Sequence, residues 1–354
     1  MSISRLLNLI IKCFLVFVLI FLLYCTLINR KFGMAQVNKV IGVYYIHVGD
    51  KALKKHNMQK AINAYQTGLN KFPGHYEAWL NLGNIYVAYE DYYSATKAYE
   101  NAILAKNNYT PARMNLGIIT AEKLGNFDNA IVQYKSIISA KHRLITIPFV
   151  FDNKKSETAN IAIAYYNMGR AYSQKAFYTP KEHQSEKTKL LRNAAAAYEN
   201  AIKIVKNNYE MFYNLALTYH LLGDYNKAGL NYCKAIDLSP MEYEAHYNLG
   251  LLLKHIKKPQ YAVDELEKAV VLSTGNISKN SNYIFEILNL VSMDAKLMNE
   301  ENINLQNETE NINKQTQSPE ISLSRGKIVI SEEDDEKILE SFRKCNSKVL
   351  FESK

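Results

Sequence analysis

The sequence predicts an all-α chain: a superhelical stack of about six helical hairpins with a capping helix, preceded by one transmembrane helix. Three observations lead there. A 23-residue run from Leu6 to Ile28 is apolar or small except at Asn8, Lys12, Tyr24 and Thr26. Small residues then recur among large apolar ones at a constant step of 34 residues. After residue 298 the apolar pattern gives way to a polar tail with six asparagines between Asn299 and Asn313.

The apolar run comes first in the chain. As a helix it would rise about 35 Å, enough for a bilayer core of roughly 30 Å. Twelve of the residues from Cys13 to Ile28 are Leu, Ile, Val or Phe. At about −0.3 to −0.6 kcal/mol each they outweigh Lys12, whose long stem reaches the interface. A cleavable signal peptide would want small residues soon after the run, but Arg30 and Lys31 stand before Gly33 and Ala35. A lipidated Cys25 would want a small residue ahead of it, and Tyr24 is bulky. An uncleaved single-pass anchor over residues 1–31 violates none of these requirements. Its orientation is balanced, with the terminal amine, Arg5 and Lys12 on one side of the apolar core and Arg30, Lys31 and Lys39 on the other. The short basic N-terminus resembles an export signal and favours repeats on the exported, periplasmic side, with the cytoplasmic side open.

The formal charge of +9 is uneven, because the residues from Glu300 onward hold twelve acids and eight bases. No basic stripe interleaved with aromatics accompanies it, so no nucleic acid is expected as a partner. A Lys-rich body beside a membrane is the simpler account. The four cysteines, Cys13, Cys25, Cys233 and Cys345, form no CxxC and imply neither a disulfide framework nor a zinc site.

The repeat is clearest from Tyr76, where Trp79, Leu82, Gly83, Tyr86, Ala95, Tyr99 and Ala102 stand at positions 4, 7, 8, 11, 20, 24 and 27. This pattern resembles the tetratricopeptide repeat (TPR), whose consensus asks for those residue types at those positions. The register recurs from Gly42 (Tyr45, Gly49, Ala61, Tyr65, Pro73), from Thr110 (Leu116, Gly117, Ala130, Tyr134), from Tyr209 (Phe212, Leu215, Tyr219, Ala228, Tyr232, Ala235) and from Tyr243 (Leu249, Gly250, Ala262, Leu266, Ala269). A further unit begins near Ala162 with Tyr165, Met168, Gly169 and Tyr172, but its second-helix signature, Ala194, Tyr198 and Ala201, arrives thirteen residues late. Thr179-Pro180-Lys181-Glu182 within that insertion reads as a capped helix start and predicts a lengthened second helix. The expected repeats are 42–75, 76–109, 110–144, 162–208, 209–242 and 243–276. Small residues at positions 8 and 20 let the two helices of a hairpin approach, large ones fill the space to the next hairpin, and no hairpin buries its apolar face alone. The resemblance implies a right-handed superhelix, and with the apolar run it is a resemblance to membrane-anchored TPR proteins of bacterial type.

Between the third and fourth units, Leu144 to Asn160 breaks the step. Its apolar Ile147-Pro148-Phe149-Val150-Phe151 suits either packing across a hairpin edge or a partner contact. Beyond Ser273 the spacing of Tyr283, Ile284, Ile287, Leu288, Val291 and Leu297 predicts a capping helix over 277–298. Residues 299–354 are expected to be mostly disordered, with a short helix over 332–344 bearing Ile338, Leu339 and Phe342 on one face.

Catalytic signatures are lacking: there is no Gly-rich phosphate loop, HExxH or GxSxG, so no enzyme and no cofactor or metal are expected. His246 takes a large-residue position and reads as a packed or solvated side chain. Asp264 and Glu265 read as members of a solvated face. What remains is a binding surface. In TPR proteins the first helix of each hairpin lines the concave side, and here position 6 reads Asn81, Asn115, Asn167, Asn214 and Asn248. A side-chain amide both donates and accepts, so such a ladder suits an extended peptide backbone. It resembles the asparagine ladder in the TPR region of O-linked N-acetylglucosamine transferases, whose transferase domain has no counterpart here. Tyr166, Tyr213 and Tyr247 at position 5 add apolar surface with a polar tip, or else pack between hairpins. Paired Lys and Arg of the carboxylate-clamp type are not matched, since Ile46, Asp50 and uncharged residues stand there. The expected function is a noncatalytic, membrane-anchored adaptor that binds a peptide or helix of an unidentified protein partner, with envelope assembly as a setting by analogy. A regulatory subunit of a membrane enzyme complex is the alternative.

Overall fold

The computed structural model describes residues 3–140, 153–274 and 280–315. These are helical throughout, with thirteen α-helices, one 3-10 turn at Lys181–His183 and no strand among the described residues. The chain forms two compact units, divided between Leu144 and Ile145. The first holds α1 (Ile3–Lys54), α2 (Met58–Lys71), α3 (Tyr76–Ala88), α4 (Tyr92–Ala105), α5 (Thr110–Glu122) and α6 (Phe127–Ala140). The second holds α7 (Asn153–Tyr178), α8 (Gln184–Ile204), α9 (Tyr209–Leu222), α10 (Tyr225–Leu238), α11 (Tyr243–His255), α12 (Pro259–Thr274) and α13 (Asn280–Gln315). In each unit consecutive helices pair as hairpins, and each hairpin leans on the next.

Local chemistry explains where the helices start and stop. Asn57, Asp91, Asn126 and Asp224 each accept a hydrogen bond from the backbone N–H three residues on, capping α2, α4, α6 and α10. A cap of this kind contributes about 1 kcal/mol. Just before each capped start the chain turns through a left-handed residue: His56 (φ 56°), Glu90 (59°), Gly125 (64°) and Gly223 (79°), with Lys257 (60°) in the same place ahead of α12. Only two of the five are glycine, the residue that takes this conformation without steric cost.

The small-residue register closes the hairpins. A Cβ placed on Gly49, Gly83, Gly117 or Gly169 would come within 2.7, 2.5, 2.6 and 2.7 Å of the ring of Tyr65, Tyr99, Tyr134 or Tyr198. Each tyrosine ring rests against its glycine and is almost wholly buried. In the fifth hairpin the pair is Ala216 and Tyr232, in the sixth Gly250 and Leu266, both within the second unit's core. Ala61, Ala95, Ala130, Ala194, Ala228 and Ala262 are fully buried. The hairpins thus pack by the rule that the sequence expresses, glycine or alanine against an aromatic or leucine.

Four features differ from the sequence-based expectations. Among the described residues no helix is long and apolar enough to cross a membrane, so the expected spanning helix is not found among them. There is also no boundary between an anchor and a first repeat. α1 continues unbroken into the first hairpin, where Gly42, Ile46, Gly49 and Ala52 are its buried residues. The second helix of the fourth hairpin is lengthened as expected, with 21 residues in α8 against 14 in α10, but the 26-residue α7 also starts early, at Asn153, in the stretch ahead of the repeat. Thr179 does not cap α8. Its hydroxyl donates back to the Lys175 carbonyl, and Pro180 leads into the 3-10 turn. Finally, α13 runs through the Asn-rich stretch to Gln315. It meets the last hairpin through buried Ile284 and Val291, with Ile287 and Leu288 beside them. No Gly or Pro interrupts residues 280–315, and polar residues free of helix breakers keep fair helix propensity. The segments 147–151 and 332–344 lie outside the described residues.

Candidate functional site

The expected ladder residues all stand on first helices of hairpins, at half-buried or buried positions. In the first unit, Tyr65 Oη donates to Asp50 Oδ1 (2.7 Å), and Asn81 Nδ2 from the next hairpin donates to the same Oη (3.4 Å). One hairpin further, Tyr99 Oη donates to Asn84 Oδ1 (2.8 Å), and Asn115 Nδ2 donates to that same oxygen (2.9 Å). Buried tyrosine, acceptor at position 9 and asparagine of the following hairpin therefore form one repeating junction. Burial, with help from Asp50, pushes the Tyr65 phenol well above its ordinary range, so it stays a donor.

The second unit builds the junction from other atoms. Asn214 Nδ2 donates to Tyr166 Oη (3.2 Å) and to the Glu210 carbonyl (2.8 Å), while Tyr166 Oη donates to the Glu210 carboxylate (3.0 Å). Asn248 Nδ2 donates to Tyr213 Oη (2.8 Å) and to the Glu244 carbonyl (3.0 Å). Asn167 is 9% exposed. Tyr247 is half-buried beside the core. Burial, with the nearby Glu244 charge, pushes the Tyr213 phenol up to about 12. Burial and the Glu210 hydrogen bond raise Tyr166 further.

These contacts narrow what the ladder offers. An amide has two N–H donors, and in Asn214 and Asn248 both are used within the protein. Their side-chain carbonyl oxygens, the Tyr166 and Tyr213 rings and the acids Glu210 and Glu244 also stand on this face. The surface is acceptor-rich and aromatic, and it suits a segment that brings N–H donors or cationic side chains. The Tyr166 and Tyr213 hydroxyls tie neighbouring hairpins together, which is the packing role, and the rings of Tyr166, Tyr213 and Tyr247 are partly covered.

Two polar clusters lie outside the expected set. His246 and Glu265 are 1% exposed. His246 Nδ1 lies 2.7 Å from Glu265 Oε2, and Lys268 Nζ lies 2.7 Å from Glu265 Oε1. The other ring nitrogen, Nε2, faces the Pro240 carbonyl at 3.2 Å. Both imidazole nitrogens thus face oxygen atoms of the protein. Burial works to raise the Glu265 carboxyl, but the hydrogen bonds and charges of His246 and Lys268 outweigh it and hold the group below the usual range. Glu265 is therefore not on a solvated face, contrary to the expectation from sequence, whereas Asp264 is exposed. The sequence signal for the pair was a histidine at a position filled by Trp79 and Phe212 in other hairpins. Side chains at position 4 also make a recurring polar contact. Trp79 Nε1, Arg113 Nε and His246 Nε2 reach the carbonyls of Pro73, Asn107 and Pro240, each six residues back.

The second cluster joins Tyr225 Oη to His255 Nε2 (2.7 Å), with the His220 ring edge-on to Tyr225. Burial and then His255 lower the His220 pKa, so its imidazole is neutral at pH 7. Among the described residues no group of three or more His, Cys, Asp or Glu is arranged to hold a metal ion.

Comparison with known proteins agrees with the packing rule. The Tetratricopeptide repeat family pattern matches residues 49–111 and again residues 209–240. No curated protein is significantly similar in sequence. Among solved structures, the assembly chaperone of RpL4 (Acl4) is similar with a TM-score of 0.50 at 12% identity, covering 73% of this chain and 99% of that one. PilW, a widely conserved type IV pilus biogenesis factor, gives 0.49 at 14% identity over 69% of this chain and 98% of its own. PilF of Pseudomonas aeruginosa gives 0.49 at 14% over 71% and 98%. At these identities the likeness is one of fold. The matched family pattern and the glycine–tyrosine packing agree: the chain carries tetratricopeptide repeats.

Proposed function

We propose that the chain is a noncatalytic, membrane-anchored interaction scaffold that holds an extended segment or helix of a partner protein along the first helices of its hairpins. The observation that carries this reading is the half-buried face of α9 and α11, where Tyr213, Asn214, Tyr247 and Asn248 stand beside Glu210 and Glu244. Partly covered aromatics with fixed acceptors are the usual makings of a recognition surface. A micromolar contact, about −8 kcal/mol, suits a surface of this kind, and tethering at a membrane would offset the modest affinity by raising local concentration.

Attachment through Leu6–Ile28 is supported by α1 itself. Val16, Phe17, Leu19, Ile20, Phe21 and Leu27 are more than half exposed on one continuous helix. So much apolar surface in water is unfavourable at about 25 cal/mol per Å² and asks for a cover. Repeats on the exported side and a part in envelope assembly belong to the same proposal.

Two measurements test it. Photoreactive side chains at Asn214 and Asn248 in cells are expected to capture a discrete partner, with none captured from Leu230 on a second helix. Capture from Leu230 alone would refute the groove reading. Full-length chain is expected to float with liposomes and to resist carbonate extraction, and deletion of residues 1–31 to release it. Full-length protein left at the bottom of the gradient would remove the anchor from the proposal and leave the groove untouched.

A further inference from the structure

The turns within the hairpins of the second unit share one edge. Leu222, at the end of α9, packs on Ala176, Leu190 and Leu191 of the fourth hairpin. Tyr225 Oη, at the start of α10, lies 2.7 Å from His255 Nε2 at the end of α11. The turns of the fourth, fifth and sixth hairpins are therefore neighbours. Residues 175–189, 220–227 and 254–258, which form and flank them, hold eight lysines and three acids. One of those acids, Asp224, already pairs with Lys227 at 3.1 Å. The turns between hairpins, at residues 205–210 and 237–244, hold one lysine and four acids. Charge is thus sorted across the unit, and the first edge is its positive side.

The fourth hairpin also projects from this edge. α7 runs nine residues past Gly169, whereas α9 ends six past Ala216, and α8 begins ten residues before Ala194, whereas α10 begins three before Ala228. At 1.5 Å per residue its tip stands about 5–10 Å proud of the next. There Phe177 and Tyr178 are 78% and 71% exposed, their rings edge to face at 5.3 Å, and Leu221 on the neighbouring turn is 62% exposed. Lys181, Lys189, Lys227 and Lys257 are exposed around them. A projecting apolar tip has no walls with which to grip a peptide. We propose that this edge docks on an anionic lipid surface, with Phe177 and Tyr178 dipping among the headgroups and the lysines of three turns facing the acidic lipids. Aromatic rings settle at headgroup level. Surface-bound helices bury apolar side chains about 5–10 Å deep, which is the height of this tip. A lysine held near an anionic leaflet raises partitioning about fivefold. An acidic protein would answer the lysines but not the projecting rings. The docking goes beyond the scaffold reading and uses the second unit alone, so it rests neither on the groove face nor on residues 1–31.

The full-length chain, mixed with vesicles of phosphatidylcholine alone or of equal parts phosphatidylcholine and phosphatidylserine, tests the docking. Phe177→Trp reports the tip through quenching by brominated acyl chains, against the background of the single native tryptophan, Trp79. Quenching beyond that of wild type is expected in the anionic vesicles, falling as salt is added, and not in the neutral ones. Leu230→Trp, on a second helix, is expected to add none. Adding Lys181→Glu/Lys189→Glu/Lys257→Glu to Phe177→Trp is expected to reduce the extra quenching at least about tenfold with unchanged circular dichroism and an unchanged urea midpoint. No extra quenching in the anionic vesicles would overturn the proposal, as would equal quenching in both kinds or full quenching after charge reversal. If an acidic protein or a nucleic acid binds this edge while Phe177→Trp stays unquenched in vesicles, the lipid surface is again refuted. Flotation with neutral vesicles reads the N-terminal segment separately: a chain that fails to float there yet is quenched by anionic ones keeps the docking edge and loses the anchor.

Discussion

Replacing Glu265 by leucine is the most informative perturbation of the second unit. Glu265 and His246 touch at 2.7 Å with 2% and 1% of their side chains exposed, and Lys268 holds the second carboxylate oxygen. Removing the acid leaves a buried imidazole nitrogen and a partly buried ammonium facing methyl groups. Breaking one side of such a buried pair costs about 3–5 kcal/mol, whereas apolar replacement of both sides is often neutral. Glu265→Leu is therefore expected to destabilise by about 3–5 kcal/mol, and His246→Leu/Glu265→Leu to lie within about 1 kcal/mol of wild type. Urea denaturation followed by circular dichroism measures both, with hydrogen exchange in α11 and α12 as a local readout. Acid supplies a second test. Because the Glu265 pKa in the folded chain is depressed below its ordinary value of 4.5, its contribution is present above that value and is lost as pH falls through the lower, folded pKa. The wild-type advantage over Glu265→Leu should thus persist at pH 5 and shrink in stronger acid. Equal losses in the single and double variants, or a difference independent of pH, would refute the ion-pair account.

Gly83→Ala would put a methyl group 2.5 Å from the Tyr99 ring and should cost about 1–3 kcal/mol in urea denaturation. Lys257→Gly relieves a left-handed residue at φ 60° and should raise stability by up to about 1 kcal/mol, while Gly223→Ala should lower it by at least as much. Tyr213→Phe removes the acceptor of the Asn248 amide and should cost about 1–2 kcal/mol of stability, yet leave photocapture from Asn214 in place.

The hairpins were legible because their spacing is enforced by contact. A ring as large as that of Tyr99 fits only against a residue with little or no side chain, so Gly83 and Tyr99 signal each other across the sequence. The same logic marked Gly169 and Tyr198 despite the insertion between them. Boundaries were less legible, because hydropathy and helix continuity are different properties. Between Ile28 and Gly42 the composition changes from apolar to basic, but Gly33 is the sole glycine and no proline intervenes, so α1 has no strong reason to stop. α13 outran its expected end for a like reason. At the candidate site, position 6 located the asparagines on the first helices but not their bonds: whether an asparagine can donate outward or donates to Tyr166 depends on the tyrosine one position earlier in the preceding hairpin. The His246–Glu265 pair stayed hidden because two polar residues 19 apart carry no pattern until both are placed within the core.

The unbroken course of α1 makes helix length a gauge of orientation. Each residue turns the first hairpin by about 100° and carries it about 1.5 Å along the axis. One alanine inserted near Gly33 would swing that hairpin by more than a quarter circle relative to the N-terminal segment, and four would nearly restore its bearing. With no swivel between the two, the number of residues from Ile28 to Gly42 determines which side of the first hairpin is presented to whatever holds the N-terminal segment.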